Sequence, residues 1–269
     1  MGPAPEGFGS VQTDTSCPAH DASRHPDTDR EKTIKPEKKV FFLPGLLNDA
    51  SLFKEQVATL SELAAVEVAD LTRSDTIASL AEDALAQAPA GRFVLVGLSM
   101  GGYVAFEIMR RAPERVASLV LLDTSARPDT AEGTAARQEL MELAETDLNT
   151  VIERLLPRLS HPDRMNLPAV RGVIQSMATS LGKDVFLRQQ QAIMGRADSR
   201  PTLAGIDCPT LVICGQEDMI TPPTIAKEIA DGIKNARLTV VEQCGHLSTL
   251  DQPEAVSEIL KQWVDGIKS

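Results

Sequence analysis

The sequence predicts an α/β protein with a doubly wound, mostly parallel sheet of about six strands and a helical cap insertion. Short apolar runs recur from residue 39 onward, and segments with helical spacing separate them. Because these runs are apolar throughout instead of alternating, each predicted strand is buried on both faces, as in a parallel sheet covered by helices. One interval, 126–200, has helical patterns but no convincing strand, and it predicts the insertion.

The predicted elements alternate in a regular order along the chain. The strands are expected at 40–43, 66–71, 93–98, 116–123, 210–214 and 237–242. The helices are expected near 51–63, 76–88, 101–112, 223–233 and 253–266. Regular strand–helix alternation of this kind favours parallel neighbours in one sheet.

Composition divides the chain into three regions. Residues 1–38 are rich in Pro, Gly, Ser, Thr, Asp and Lys and contain almost no aliphatic side chains. They cannot bury enough apolar surface to offset the entropy of ordering, so they are expected to form a disordered tail. Residues 39–125 and 201–269 are expected to form the sheet domain. Residues 126–200 are expected to form a cap inserted into it.

Charge and cysteine usage limit the partners. With 27 Lys and Arg against 38 Asp and Glu, the formal net charge is −11, which opposes binding to nucleic acid or to an anionic membrane. No apolar run approaches the roughly 18 residues that a membrane span needs, and no secretory signal pattern is present, so a cytoplasmic location is expected. The four cysteines show no CxxC pair and are interpreted as reduced thiols. Composition predicts nothing about oligomeric state.

A single serine lies between a predicted strand and a predicted helix in the stretch VGLSMGG. The spacing Gly97-x-Ser99-x-Gly101 is that of a nucleophile elbow, in which a strained turn projects the serine hydroxyl above the sheet. Small flanking residues let the strand and helix approach closely. The helix N-terminus directs its free N–H groups toward developing negative charge. We therefore predict that Ser99 is a nucleophile.

Over residues 39–266 the chain resembles the α/β-hydrolase superfamily. Four segments carry the resemblance, namely FLPGLL at 42–47, GLSMG at 97–101, GQEDMITP at 215–222 and CGHL at 244–247. They follow the order serine, acid, histidine that this superfamily uses. The resemblance implies a serine hydrolase mechanism. It also implies a shortened sheet, because residues 1–38 contain no counterpart of the superfamily's first antiparallel strands.

One histidine is the expected base. His20 and His25 lie in the polar tail, and His161 lies in the predicted cap. Only His246 follows a core strand on a loop that contains glycine. The resemblance implies that His246 takes the proton of Ser99 and later gives it to the leaving group.

Two aspartates compete for the role of the acid that orients the histidine. Asp218 follows the strand predicted at 210–214, and the resemblance implies that it fixes the imidazole tautomer and stabilises its charged form. Asp123 ends the strand predicted at 116–123, where some members of the superfamily carry the acid. Asp218 is preferred, and Asp123 stays as the alternative.

The resemblance also implies an oxyanion hole made of two backbone N–H groups, those of Leu46 and Met100. Most relatives have His-Gly in the first of these loops, whereas this chain has Pro44-Gly45. The turn Asp-x-x-Gly-x-Gly that is common after the next strand is replaced by the sequence at 70–75, so a different entrance is expected. Backbone donation does not require the missing histidine side chain.

The expected function is hydrolysis of a small carboxylic ester or lactone through an acyl-serine, without a cofactor. No HExxH, P-loop or GxGxxG is present, so neither a metal nor a nucleotide cofactor is predicted. A serine at position 99 argues against the dehalogenase and epoxide-hydrolase branches, which attack with a carboxylate. The alternatives are a non-catalytic ligand-binding or interaction protein on the same scaffold, and a thioesterase, a C–C bond hydrolase or a lyase.

The predicted cap is rich in arginine, and two interpretations are open. The arginines include Arg127, Arg137, Arg154, Arg158, Arg188 and Arg196. Some of them could meet a substrate carboxylate. Pairing with neighbouring Asp and Glu on solvated helix faces is the preferred interpretation.

Overall fold

The computed structural model describes Met1, Gly2, Gln12 and residues 38–267. The predicted disordered tail, residues 1–38, lies almost entirely outside the described residues. Its last residue, Lys38, already belongs to the first strand, which begins two positions earlier than the predicted range 40–43.

Within residues 38–267 the sheet has six strands, and every neighbouring pair is parallel. The strands are β1 (Lys38–Leu43), β2 (Ala64–Val68), β3 (Phe93–Leu98), β4 (Val116–Leu122), β5 (Thr210–Gly215) and β6 (Ala236–Val241). Their spatial order is β2-β1-β3-β4-β5-β6. This arrangement confirms the predicted doubly wound parallel sheet.

The second strand begins and ends earlier than the sequence predicts. The predicted range is 66–71, whereas β2 covers Ala64–Val68, after which the chain leaves the edge of the sheet. The backbone N–H of Asp70 donates to the Gln87 side chain instead of to a neighbouring strand, at 2.8 Å. Leu71 is buried, as its apolar character predicts, but it lies after the end of β2.

Helices cover both faces of the sheet. They are α1 (Lys54–Leu60, after a 3₁₀ turn at Ala50–Phe53), α2 (Ile77–Gln87), α3 (Met100–Arg111), α8 (Pro223–Gly232), α9 (Ser248–Asp251) and α10 (Pro253–Gly266). Alternate residues of β3 pack into the two core layers, with Phe93 and Leu95 on one side and Val94 and Val96 on the other. The uniformly apolar strand therefore reflects burial on both faces.

The segment between β4 and β5 is helical. It contains α4 (Ala131–Ala144), α5 (Leu148–Leu159), α6 (Pro168–Met194) and the short α7 (Arg200–Leu203). Gly182 divides α6 into two helices, because its φ of 77° lies in the left-handed region that glycine adopts without steric cost. No helix among the described residues is both long and apolar enough to cross a membrane.

Candidate active site

Ser99 occupies the strained turn that its motif predicts. It joins β3 to α3 with φ 52° and ψ −115°, a conformation that costs a non-glycine residue about 1–3 kcal/mol. Its N–H donates to the carbonyl of Leu122 in β4 at 3.0 Å, which fixes the turn against the sheet. A Cβ added to Gly97 would lie 2.5 Å from the carbonyl oxygen of Gly101, and one added to Gly101 would overlap the carbonyl of Leu43. Both glycines are therefore required for the close approach of strand and helix.

Three predicted residues from separate strand ends meet in one hydrogen-bonded chain. His246 Nε2 lies 2.8 Å from Ser99 Oγ. On the other side of the ring, His246 Nδ1 lies 2.9 Å from Asp218 Oδ2 and 3.0 Å from Oδ1. Since an ionised carboxylate only accepts, Nδ1 carries a proton and the neutral ring presents Nε2 as an acceptor to the serine hydroxyl.

The turn after β5 holds Asp218 in its ionised form. Its Oδ1 accepts the backbone N–H groups of Ile220 at 2.8 Å and Thr221 at 2.9 Å. Its Oδ2 accepts the Thr221 hydroxyl at 2.7 Å. Burial alone would raise the pKa of Asp218, but the positive charge on His246 and these hydrogen bonds outweigh it and lower the pKa to about 2.

His246 has the opposite balance. The side chain is almost fully buried, and burial would lower its pKa. The negative charge of Asp218 and the hydrogen bond to it prevail, so the pKa of His246 is raised above its usual 6.5. The environment therefore stabilises the imidazolium that His246 would form if it accepted the proton of Ser99.

Asp123, the alternative acid, lies at the end of β4 and does not contact the imidazole. Its Oδ1 accepts the N–H of Gly215 at 3.0 Å, and its Oδ2 accepts the N–H of Ser248 at 3.2 Å. Burial, with a contribution from the charge of Asp218, raises the pKa of Asp123 to about 7. The structure therefore brings Asp218, and not Asp123, to His246.

Of the two predicted oxyanion donors, Leu46 lies in the loop after β1, and Met100 is the first residue of α3, directly after Ser99. Within the described part of the chain, the backbone N–H groups of Leu46 and Met100 donate to no other residue. The next residue, Leu47, has φ 51° and donates its N–H to the Gln189 side chain at 2.8 Å. Gln189, which sequence analysis missed, is fully buried and also donates to the carbonyl of Leu71 at 3.0 Å. A side chain from α6 thus fixes this loop in the absence of the usual histidine.

Asp251 is a second residue that sequence analysis missed. Its carboxylate is 1% exposed and accepts the Ser160 hydroxyl at 2.5 Å, the His161 N–H at 2.8 Å and the Gly245 N–H at 2.7 Å. It therefore joins the end of α5 to the loop that carries His246. Nothing in the local sequence around Asp251 indicates this link.

A cavity of about 170 Å³ opens onto Ser99 and His246. Most of its lining is apolar and comes from both the sheet domain and the helices between β4 and β5. The apolar side chains are Leu46, Leu47, Tyr103, Ala136, Leu140, Ile152, Leu155, Leu159, Ile174, Ala178, Ile193, Ile220 and Leu247. The polar ones are Asn48, Ser99, Arg137, Arg158, Gln190 and His246.

The six arginines named from the sequence divide between the two interpretations. Arg127 pairs with Glu228, and Arg137 and Arg196 both pair with Asp129. Arg188 donates to the carbonyl of Thr72. Among the described residues, Arg154 and Arg158 have neither an ion-pair nor a hydrogen-bond partner, and of these two only Arg158 lines the cavity.

One group of potential metal ligands lies beside the site. Atoms of Asp123, Cys214 and Asp218 lie within 4.8 Å of one another. Burial raises the pKa of the Cys214 thiol, which therefore stays protonated and donates to the carbonyl of Thr221 at 3.3 Å. Asp218 already accepts hydrogen bonds from His246 and Thr221, and Asp123 accepts two from backbone N–H groups. Because the potential ligand atoms are engaged in these hydrogen bonds within the protein, they do not form a metal site.

Comparison with known proteins gives consistent results. A family model described as "Alpha/beta hydrolase family" matches residues 18–259. The pimeloyl-[acyl-carrier protein] methyl ester esterase of Neisseria meningitidis serogroup B (strain H44/76) is 29% identical over 256 residues, which cover 88% of this chain and 97% of that protein.

Solved structures include similar chains. A thermophilic esterase from Thermogutta terrifontis, with malate bound, is 30% identical and has a TM-score of 0.79. The match covers 87% of this chain and 92% of the esterase chain. The enol-lactonase from Burkholderia xenovorans LB400 is 26% identical and has a TM-score of 0.78. The match covers 85% of this chain and 91% of the lactonase chain.

Proposed function

The chain belongs to the alpha/beta hydrolase family, and we propose that it cleaves a small carboxylic ester or lactone through an acyl-serine intermediate. The observation that carries this proposal is the hydrogen-bonded chain from Ser99 through His246 to Asp218, which ends at an apolar cavity. The esterases and the lactonase among the similar proteins support the same reaction class.

In the first half of the reaction, Ser99 Oγ attacks the ester carbonyl carbon while its proton moves to His246 Nε2. The carbonyl oxygen becomes an oxyanion, which the N–H groups of Leu46 and Met100 stabilise; one such donor is typically worth about 10²- to 10³-fold in turnover. The tetrahedral intermediate then expels the alcohol, which takes the proton from Nε2. With an ester, the products of this half are an acyl-serine and a free alcohol. With a lactone, the ring opens and the alcohol stays on the same chain as the acyl group bound to Ser99.

In the second half, water replaces the alcohol and the steps are repeated. His246 Nε2 accepts a proton from water, whose oxygen attacks the acyl carbon. Collapse of the second intermediate returns the proton to Ser99 Oγ and releases the carboxylic acid. Throughout, Asp218 keeps the Nδ1 proton in place and balances the transient positive charge on the imidazole.

The helices at 126–200 act in this proposal as a cap that sets the size and polarity of the substrate. Residues of α4, α5 and α6 contribute much of the apolar lining of a cavity of only about 170 Å³. This size and polarity suit a short acyl or alkyl chain. We also propose a cytoplasmic location, which the free Cys208, Cys214 and Cys244 among the described residues support.

The test is covalent labelling with a fluorophosphonate, read by intact mass, together with turnover of short-chain p-nitrophenyl esters. Wild type is expected to gain one adduct and to turn over the esters, and Ser99→Ala is expected to lose both. Ser61→Ala changes an exposed serine at the end of α1 and serves as the matched control. Absence of both labelling and turnover in wild type would contradict the proposal and favour a non-catalytic binding protein.

A further inference from the structure

The charged groups that line the cavity are unusual for this chain. Its formal net charge is −11, yet no Asp or Glu is among the described lining residues. The permanent charges there are the guanidinium groups of Arg137 and Arg158. The site that the protein offers to a small molecule is therefore positive within an acidic protein.

Arg137 belongs to a partly buried cluster that carries excess positive charge. Its Nε lies 3.3 Å from Asp129 Oδ2, and one of its terminal nitrogens donates to the buried Gln190 side chain at 2.8 Å. The same Asp129 carboxylate pairs with Arg196 at 2.8 Å. A single carboxylate thus serves two guanidinium groups, and these fixed contacts hold Arg137 at the cavity wall.

Arg158 carries the second charge and is not neutralised in the described part of the chain. It lies in the last turn of α5 and lines the same cavity as Ser99 and His246. Its positive charge is near enough to act on His246, whose pKa it tends to lower. Guanidinium groups bind carboxylates and phosphates through paired hydrogen bonds that are stronger than neutral ones.

We infer that the substrate is an ester or lactone whose far end carries an anionic group, a carboxylate or a phosphate, held by Arg158 and Arg137. The inference rests on the proposed ester hydrolysis. The apolar lining accepts a short methylene chain between the two ends of such a molecule, and the arginines receive the end that apolar contact cannot stabilise. The same charges disfavour cationic esters.

Three methyl esters with the same four-methylene chain test this inference. Methyl hexanoate ends in a methyl group, monomethyl adipate in a carboxylate and methyl 5-phosphonopentanoate in a phosphonate. Wild type is expected to have a higher kcat/KM for at least one charged ester than for methyl hexanoate. The better of the two charged esters distinguishes a carboxylate from a phosphate ligand.

Arginine variants then show which side chains cause the preference for the charged esters. In Arg158→Gln, the ratio of kcat/KM for the preferred charged ester to that for methyl hexanoate is expected to fall about 10- to 100-fold, as loss of a charge-assisted contact predicts. Arg137→Gln is expected to lower the same ratio. Arg127→Gln is the matched control, because this arginine pairs with Glu228 outside the cavity and its loss should leave the ratio unchanged.

Binding measurements separate this inference from the proposed function. Calorimetry compares adipate and hexanoate with wild type and the three variants, and needs no turnover. Tighter binding of adipate that depends on Arg158 would support the anion site even if no ester were hydrolysed, a result that would reject only the esterase proposal. Equal kcat/KM for charged and neutral esters in wild type, or a preference that survives the double variant of Arg137 and Arg158, would overturn the inference.

Discussion

The turns that follow β4 and β5 each place a buried aspartate at the same edge of the sheet, but the two carboxylates have opposite properties. Asp218 accepts two N–H groups and a hydroxyl and faces the imidazole, and its pKa is lowered to about 2. Asp123 accepts two N–H groups without a cationic partner in contact, and its pKa is raised to about 7. Burial is common to both, so the difference comes from the hydrogen-bond donors and the neighbouring charge.

The comparison separates two tasks. Asp218 is an ionised partner that orients and stabilises the proposed base. Asp123 joins the start of the acid turn, at Gly215, to the residue two positions after the base, Ser248. One carboxylate thus acts on the charge of His246, and the other holds the two loops in which Asp218 and His246 lie.

Between the two aspartates, the larger effect is expected from Asp218→Asn. The amide keeps the shape but removes the negative charge and can present an N–H to Nδ1, which favours the wrong tautomer. We expect kcat to fall about 10³- to 10⁴-fold, by analogy with the same change in serine proteases. Steady-state kinetics on a p-nitrophenyl ester measures it. A greater loss in Asp123→Asn would show that the roles of the two aspartates are reversed.

A smaller effect is expected from Asp123→Asn. The variant keeps an acceptor for Gly215 but weakens the contact to Ser248, so the loop of His246 is held less firmly. We expect kcat to fall about tenfold at pH 8, where the wild-type carboxyl is mostly ionised, consistent with the loss of about one hydrogen bond. At pH 6 the wild-type carboxyl is mostly protonated, and the difference from the variant should shrink. A constant ratio at both pH values would contradict the raised pKa.

The third prediction concerns the pH dependence of stability and not turnover. Because the pKa of Asp123 is raised from 3.8 to about 7 on folding, the native state binds more protons than the unfolded state between these values. Asp123 therefore contributes a loss of stability as pH rises through this window. Asp123→Asn should reduce that decline, as measured by urea unfolding at pH 5 and pH 8. An unchanged slope would show that other groups produce it.

Local sequence patterns predicted most of the fold and the proposed catalytic residues. The apolar run before Ser99 and the glycines around it identify the elbow, because the strained turn tolerates few other residues. The position of His246 after the last strand indicated the base, and the resemblance implied Asp218 as the acid, since parallel strands end at one edge of the sheet. The choice between Asp218 and Asp123 depends on side-chain geometry that no local pattern records.

Gln189 and Asp251, which hold the loops around the site, could not be predicted in the same way. Gln189 contacts Leu47 across 142 positions, and Asp251 contacts Ser160 across 91. A glutamine inside a helix and an aspartate near a helix end are ordinary surface choices in sequence, and only the tertiary fold buries them. The early end of β2 has a similar origin, because the Gln87 side chain competes for the backbone of Asp70.

The link through Asp251 limits how this protein can be re-engineered. The helical insertion is joined to the loop of His246 through the buried Asp251 carboxylate, so replacing the insertion also affects that loop. A transplanted cap that lacked a hydroxyl at position 160 would leave that carboxylate short of a donor and loosen the loop. Because Ser160 lies inside the insertion, a chimera avoids this loss if the grafted segment keeps a serine at position 160 to donate to Asp251.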